Sequence, residues 1–348
     1  MKKKNKIEVI VKPLLEWYER NARELPWRED KEPYHIWISE IMLQQTRIEA
    51  VKEYYQRFMK ALPNIASLAK IEEEKLLKLW EGLGYYNRAR NLKRAAKKMM
   101  EDYQGKMPET YEELIQLPGI GEYTAGAIAS IAYDQKVPAV DGNVLRVISR
   151  IEGSKKDIML AKTKKEVSEK LLEIMPEEAG NFNEALMELG ETICVPNGEP
   201  LCIKCPLNSY CEAYQKGLTN QIPVRIKKVK RKVEEKTVLL LIKDKRIAIL
   251  KRQESGLLAG MYEFPNLEGK LEVKQVEEVL KQWNSKASKI EYVQEYRHIF
   301  SHKEWDMIAY KVEVDKEIKD FLWVTKESLK QKYPMPGAFL NFQNNIEN

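Results

Sequence analysis

Long apolar runs are missing from this chain. No stretch approaches the roughly 20 residues that cross a bilayer. The start, Met1 to Lys6, is basic, but Ile7 onward alternates charged and apolar residues where a signal peptide would carry its apolar core. These absences predict an intracellular protein. Cysteine is scarce as well, with only four, all between Cys194 and Cys211. In a reducing compartment such clustering favours a metal site over disulfides. Nor does one sign of charge dominate: 59 Lys and Arg against 53 Asp and Glu leave +6, a bias that permits a nucleic-acid partner without requiring one. No repeat array or low-complexity tract occurs. What remains is an ordinary globular composition, and 348 residues suggest two domains.

The first of these reads as successive amphipathic helices from Ile7 to about Tyr214. Ile7, Ile10, Val11, Leu14, Leu15 and Tyr18 recur at helical spacing, as do Ile36, Ile38, Ile41, Met42 and Leu43. Breaks fall at Leu62-Pro63-Asn64, Gly82-Leu83-Gly84, Leu117-Pro118-Gly119 and Ala139 to Asn143. After Cys211 the character changes. Arg225 to Lys236 carries seven Lys or Arg in twelve residues and little core pattern, the mark of an exposed tether or a phosphate-contacting linker. Beyond it, Thr237–Ile242, Arg246–Leu250, Ile290–Phe300, Trp305–Val314 and Phe321–Val324 are strand-like. Val276–Trp283 and Lys326–Tyr333 look helical. The expected division is a helical domain over 1–215, a basic linker over 216–236 and a small α+β domain over 237–348.

Three constellations carry chemistry. In Leu117-Pro118-Gly119-Ile120-Gly121-Glu122-Tyr123-Thr124-Ala125, Pro118 ends one helix and the two glycines allow a tight hairpin into the next. Backbone N–H groups of Gly119, Ile120 and Gly121 would then lie at a helix N-terminus, where an anion is favoured. Such a helix-hairpin-helix grips a DNA phosphate without reading sequence; an ordinary Pro-Gly turn is the bland alternative.

The second is a pair of carboxylates. Glu40 sits among Trp37, Ile38, Ile41, Met42 and Leu43, neighbours that should bury it and raise its pKa, as a general acid requires. Asp141, in Val140-Asp141-Gly142-Asn143-Val144, can accept backbone hydrogen bonds and is expected to stay ionised. One raised and one unraised carboxylate suit cleavage of a sugar–heteroatom bond through a cationic transition state. Taken singly, Asp141 is as well explained as an N-cap and Glu40 as a helix-surface charge. The third constellation is Cys194, Cys202, Cys205 and Cys211, spaced C-x7-C-x2-C-x5-C. Zinc and a four-iron cluster both accept four sulfurs. One close pair with two outlying singles fits a [4Fe-4S] cluster better than the paired knuckles common for zinc.

Together these residues resemble the endonuclease III-like helix-hairpin-helix superfamily, and within it the adenine DNA glycosylases (the MutY family). Leu25-Pro26-Trp27-Arg28, Ser39 to Thr46, Gly82 to Tyr86, the hairpin, Val140 to Val144, Phe182 to Leu186 and the cysteines appear in family order. The resemblance implies a mostly α, two-lobed glycosylase with an iron–sulfur loop and a small α+β Nudix-like domain behind it. Bifunctional relatives place a Lys where this chain has Tyr123, and use it as a Schiff-base nucleophile. A Tyr cannot form that adduct, so the resemblance implies a monofunctional enzyme, one that excises adenine paired with 8-oxoguanine or guanine and initiates base excision repair. It would act as a monomer on double-stranded DNA in the cytoplasm. By the same resemblance Glu40 protonates N7 of the flipped adenine, Asp141 stabilises the oxocarbenium sugar, and Tyr123 assists. Asn143 and Glu184 support them, and Arg23, Trp27, Arg28 and Leu43 form the adenine pocket. Gln45 and Tyr85 wedge into the duplex. The first cysteine interval is one residue longer than is usual in the family.

The Nudix-like resemblance rests on Gly256 to Pro265. A working Nudix hydrolase needs an R-E-x-x-E-E cluster for magnesium, and nothing between Leu267 and Trp283 supplies one. The expected role is lesion reading, with Phe300, Ser301 and His302 matching the loop that tests for 8-oxoguanine. A glycosylase–lyase, a mismatch-binding protein without activity, and a phosphohydrolase are the competing readings.

Overall fold

The computed structural model describes residues 7–226 and 231–346. Helices run in the order α1 (Val11–Asn21), α2 (Pro33–Leu43), α3 (Ile48–Ala61), α4 (Ile65–Lys70), α5 (Glu73–Leu79), α6 (Asn87–Asp102), α7 (Tyr111–Leu114), α8 (Glu122–Tyr133), α9 (Gly142–Ile151), α10 (Ala161–Ile174), α11 (Ala179–Thr192) and α12 (Glu212–Gln215). There follow β1 (Lys232–Lys243), β2 (Arg246–Lys251), β3 (Tyr262–Glu263), β4 (Asn266–Glu268), α13 (Val273–Gln282), β5 (Ala287–Ile299), β6 (Lys303–Val314), β7 (Leu322–Thr325), α14 (Lys326–Lys332) and α15 (Gly337–Gln343). The chain forms two compact units. One comprises Met1–Lys70 and Asn91–Lys227, the other Ile71–Arg90 and Lys228–Asn348.

In the first unit, Ile10, just before α1, and Leu14 and Tyr18 of α1 pack with Val144, Ile148, Leu171, Phe182 and Leu186 of α9, α10 and α11. The α8 helix is buried from Thr124 to Ile131, so whatever it carries at its N-terminus is held rigidly. Asn183, fully buried, anchors the loop before α9. Its Oδ1 accepts from the Ala139 N–H at 3.0 Å, and its Nδ2 donates to Ser130 Oγ and to Val137 O, both at 2.8 Å. An amide satisfied three ways fixes that loop at its buried end.

The second unit is built on a sheet ordered β3-β2-β1-β6-β5, with β4 paired to β1 and β7 to β2. Among the described strands of this sheet, only the central β1–β6 pair is parallel; the other pairings are antiparallel. Val238 and Leu240 of β1 face a core with Ile247, Trp305, Phe339 and Phe342. Leu239 and Leu241 face the opposite one, with Val276, Leu280 and Val312. Covered on both faces, β1 reads as a continuous apolar run.

The basic linker expected over 216–236 is shorter at both ends. Ile222 is buried and its carbonyl accepts from Arg150 Nε at 2.8 Å, which ties this stretch to the helical unit. At the other end Lys232 to Lys236 already pair with β6. The partner strand supplies their backbone bonds, and Glu234 and Lys236 lie against Trp305, so the run of charge hides a strand. Lys227 to Lys230 lie outside the described residues.

Candidate active site

Glu40 lies in α2 with only 8% of its surface exposed, because the helix is apolar on nearly every side. The Tyr123 hydroxyl, from the first turn of α8, donates to Glu40 Oε2 at 2.6 Å. Burial raises the Glu40 pKa to about 7; the Tyr123 bond opposes the rise and the Asp141 charge adds to it. Tyr123 is itself pushed well above its ordinary value, first by burial and then by Glu40. Its hydroxyl also lies 3.1 Å from Met187 Sδ.

Asp141 is the N-cap of α9, and its Oδ1 accepts from the Val144 N–H at 2.7 Å. The Asn143 amide donates to Oδ2 at 2.9 Å. The expectation of an unraised Asp141 needs correcting. Burial outweighs these bonds and moves its pKa upward too, so the two carboxylates differ in surroundings rather than in direction. Asn143 in turn accepts from Arg146 Nη2 at 2.7 Å, and Arg146 Nε donates to Cys194 O at 2.7 Å.

Beside Glu40 opens a cavity of about 580 Å³ lined by Arg23, Trp27, Arg28 and Glu184, among others. Leu43, Asp141 and Tyr123 are not among its walls. Leu43 ends α2, one turn beyond Glu40. Trp27 is nearly buried and meets Tyr55 edge-on at 5.5 Å. The arginines are held by a residue that sequence reasoning missed. Glu188, almost wholly buried, accepts from Arg23 Nε and Nη2 at 2.5 and 3.1 Å and from Arg28 Nη1 at 3.0 Å. Arg28 Nε donates to Glu184 at 3.0 Å. A signal was available: Glu184 and Glu188 are one turn apart on α11, a like-charge spacing that needs cations to offset it.

In the hairpin, Gly119 has φ of +80°, and a Cβ there would stand 2.5 Å from Asn91 Cβ. Gly121 differs from expectation: its φ is −97°, and a Cβ would meet nothing within 4 Å. Ile120 buries its side chain, and its N–H donates to Leu117 O at 3.1 Å, so it is not free for a phosphate. The Gly119 and Gly121 N–H groups donate to no acceptor among the described residues. Gln45 and Tyr85, the expected wedges, are both exposed. Both hold left-handed backbone, φ 58° and 48°, a strain that functional positions retain.

Two family models match the chain: the HhH-GPD superfamily base excision DNA repair protein over residues 38–177, and the NUDIX domain over 237–344. An adenine DNA glycosylase of Mus musculus is 35% identical over 87% of this chain and 70% of its own length. One from Buchnera aphidicola subsp. Schizaphis graminum is 37% identical over 85% of each. A thermostable thymine-DNA glycosylase structure superposes with a TM-score of 0.55 and 30% identity, over 61% of this chain and 97% of that one. The chain belongs to the adenine DNA glycosylases.

In this adenine glycosylase Cys194, Cys202, Cys205 and Cys211 line one small cavity. Among the described residues, no three His, Cys, Asp or Glu side chains are placed to hold a single metal ion. Two buried cations lean on this loop. Arg150 Nη1 lies 3.2 Å from Cys194 Sγ, and Arg146 binds its carbonyl. Among the described residues neither forms an ion pair with a carboxylate; the charges of Asp141 and Glu191 reach Arg146, whereas Arg150 is turned to the cysteine loop, where an anion would offset its burial. A cluster with four thiolates supplies that anion.

In the Nudix-like part of the glycosylase, Phe300, Ser301 and His302 form the turn between β5 and β6. Phe300 packs on Trp305 with ring centroids 4.8 Å apart. Ser301 and His302 are exposed, and Ser301 Oγ lies 3.5 Å from the Tyr85 hydroxyl.

Proposed function

We propose that this glycosylase removes adenine opposite 8-oxoguanine or guanine in duplex DNA and leaves the strand uncut. The Glu40–Tyr123 pair carries the reading. A carboxyl raised to about 7 holds a proton for much of the time near neutrality and can surrender it to N7 of a flipped adenine. Adenine then departs neutral, Asp141 stabilises the oxocarbenium sugar, and water adds at C1′ as its proton passes to the Glu40 carboxylate, which restores the acid. The cavity beside Glu40 receives the base, with Arg23 and Arg28 held ready by Glu184 and Glu188. A tyrosine in place of the lyase lysine offers no amine for a Schiff base.

Cys194, Cys202, Cys205 and Cys211 would hold the [4Fe-4S] cluster, which supplies an anionic cross-link for the loop when bound. Gln45 and Tyr85 would fill the gap left by the flipped base. Ser301, which both donates and accepts, suits a lesion that differs from guanine at two ring positions. Released adenine should be measured from duplexes with adenine opposite 8-oxoguanine, guanine, cytosine or thymine. Fastest release opposite 8-oxoguanine is expected, with strand breaks only after alkali and no borohydride-trapped adduct. Equal rates opposite all four partners would sink the mispair reading, and a trapped adduct the monofunctional one.

The hairpin gives a separate test. Gly121→Ala adds a methyl where the protein offers no obstacle, so the melting temperature should hold within about 2 °C. A phosphate seated on the Gly119 and Gly121 N–H groups would be pushed away. Fluorescence anisotropy on duplex DNA should then show roughly tenfold weaker binding; unchanged affinity would move the phosphate elsewhere.

A further inference from the structure

The segment Ile71–Arg90, which carries the wedge Tyr85, belongs to the same compact unit as the Nudix-like part. Its fastenings are directed at backbone. Lys78 Nζ donates to Tyr333 O at 3.2 Å, and Glu81 Oε1 accepts from the Met335 N–H at 2.6 Å. Lys78 and Glu81 also pair with each other at 2.7 Å, each side chain less than a fifth exposed. Arg90 donates to Ala259 O. Between the two anchored residues, Pro334 O accepts from the Tyr262 N–H at 2.9 Å. The strap 333–335 is thus held from both sides.

From the strap a continuous path leads to the reading loop. Met335 is buried in the core that contains Trp305 and Phe339. Trp305 meets Phe339 at 5.9 Å and Phe300 at 4.8 Å between ring centroids, and Phe300 precedes Ser301. From Glu81 a second path leads to the wedge. Trp80 Nε1 donates to Gly84 O at 3.1 Å, and Arg88 Nη2 donates to Leu83 O and Gly84 O at 3.0 and 3.1 Å. The Arg88 guanidinium lies 5.6 Å from the Tyr85 ring centre. The two paths close on each other where Ser301 Oγ approaches the Tyr85 hydroxyl.

We propose that Lys78 and Glu81 are specificity-determining positioning residues. They fasten the Tyr85 turn to the strap 333–335, so that Tyr85 and Ser301 meet the partner base as a single reader. This rests on the reading that Tyr85 and Ser301 contact that base. Neither Lys78 nor Glu81 touches adenine or the sugar in this scheme; they act through the spacing between wedge and loop. Ion-paired bonds to backbone suit such a role, because the anchored geometry does not depend on which side chain occupies 333 or 335.

The test uses the full chain purified with its iron–sulfur cluster. Single-turnover rates and kcat/KM are measured on adenine opposite 8-oxoguanine and opposite guanine. Glu81→Ala should lower the preference for 8-oxoguanine about tenfold, the usual loss for one charge-assisted contact. The saturated single-turnover rate opposite guanine should stay within about twofold, and Glu81→Gln, which can still accept from the Met335 N–H, should recover part of the preference. Combined with Ser301→Ala, Glu81→Ala should cost little beyond Ser301→Ala alone, since both remove one shared reading. If Ser301→Ala abolishes the preference while Glu81→Ala leaves it intact, the coupling is wrong and the lesion reading stands. If the unmodified protein has no preference, or Ser301→Ala leaves it unchanged, the lesion reading itself fails. Equal losses opposite both partners would mark general damage and overturn the proposal. Should Glu81→Ala fail to fold, Lys78→Met takes its place: a selective loss of the 8-oxoguanine preference supports the coupling, and an intact preference overturns it.

Discussion

Glu40→Gln should slow single-turnover release of adenine by about 10³-fold or more, in the upper part of the range for loss of a general acid. The amide oxygen can still accept from Tyr123, so the pocket keeps its shape and the loss reports the missing proton. In the unsubstituted protein the rate should fall as pH rises through about 7, where Glu40 gives up its proton. A rate independent of pH between about 5 and 9 would remove Glu40 from the acid role. Stability should move the other way. The folded pKa lies above the ordinary 4.5, so the favourable contribution of the protonated form is full below that value and is lost as pH rises towards 7. Glutamine escapes the loss. At pH 8 the variant should be more stable by about 1–3 kcal/mol, and at pH 5 by much less. Paired thermal melts at the two pH values would measure this, and equal shifts at both would contradict the burial of the charge.

Asp141→Asn should cost about 10²–10³ in the same rate, the scale for one preorganised electrostatic partner of a developing charge. The substitution separates two duties of Asp141. Asparagine remains a good N-cap and can accept from the Val144 N–H, so α9 should survive with at most about 1 kcal/mol lost. Part of that loss is local, because the new amide would face the Asn143 amide that now donates to Oδ2. A large melting-temperature drop with normal release would reduce Asp141 to a capping residue.

How far the sequence reveals this protein depends on which physical signal each residue leaves. Helical spacing locates the helical unit well, and the uniformly apolar surroundings of Glu40 announce its burial. The hairpin is legible because Pro118 and the two glycines stand between two apolar helical runs, although the Pro-Gly pair alone would mark any turn. Asp141 misleads: its backbone partners can be read from a capping pattern, whereas its depth depends on elements distant in the chain. Glu188 escapes notice because its cations lie about 160 positions away. The strand identity of Lys232–Lys236 is hidden by charge, and the strap held by Lys78 and Glu81 leaves no local pattern, since those side chains bind its backbone rather than its side chains.

The Tyr123 hydroxyl has one hydrogen and two neighbours, Glu40 Oε2 and Met187 Sδ. It works as a rotor with two stops. While Glu40 is ionised, the hydrogen points to the carboxylate. Once Glu40 carries its proton, the carboxyl can itself donate to the phenol oxygen, and the hydroxyl turns to the thioether, a weak but adequate acceptor. The contact between the two residues therefore survives either charge state. Glu40 can gain or release its proton without the pocket around it being rebuilt.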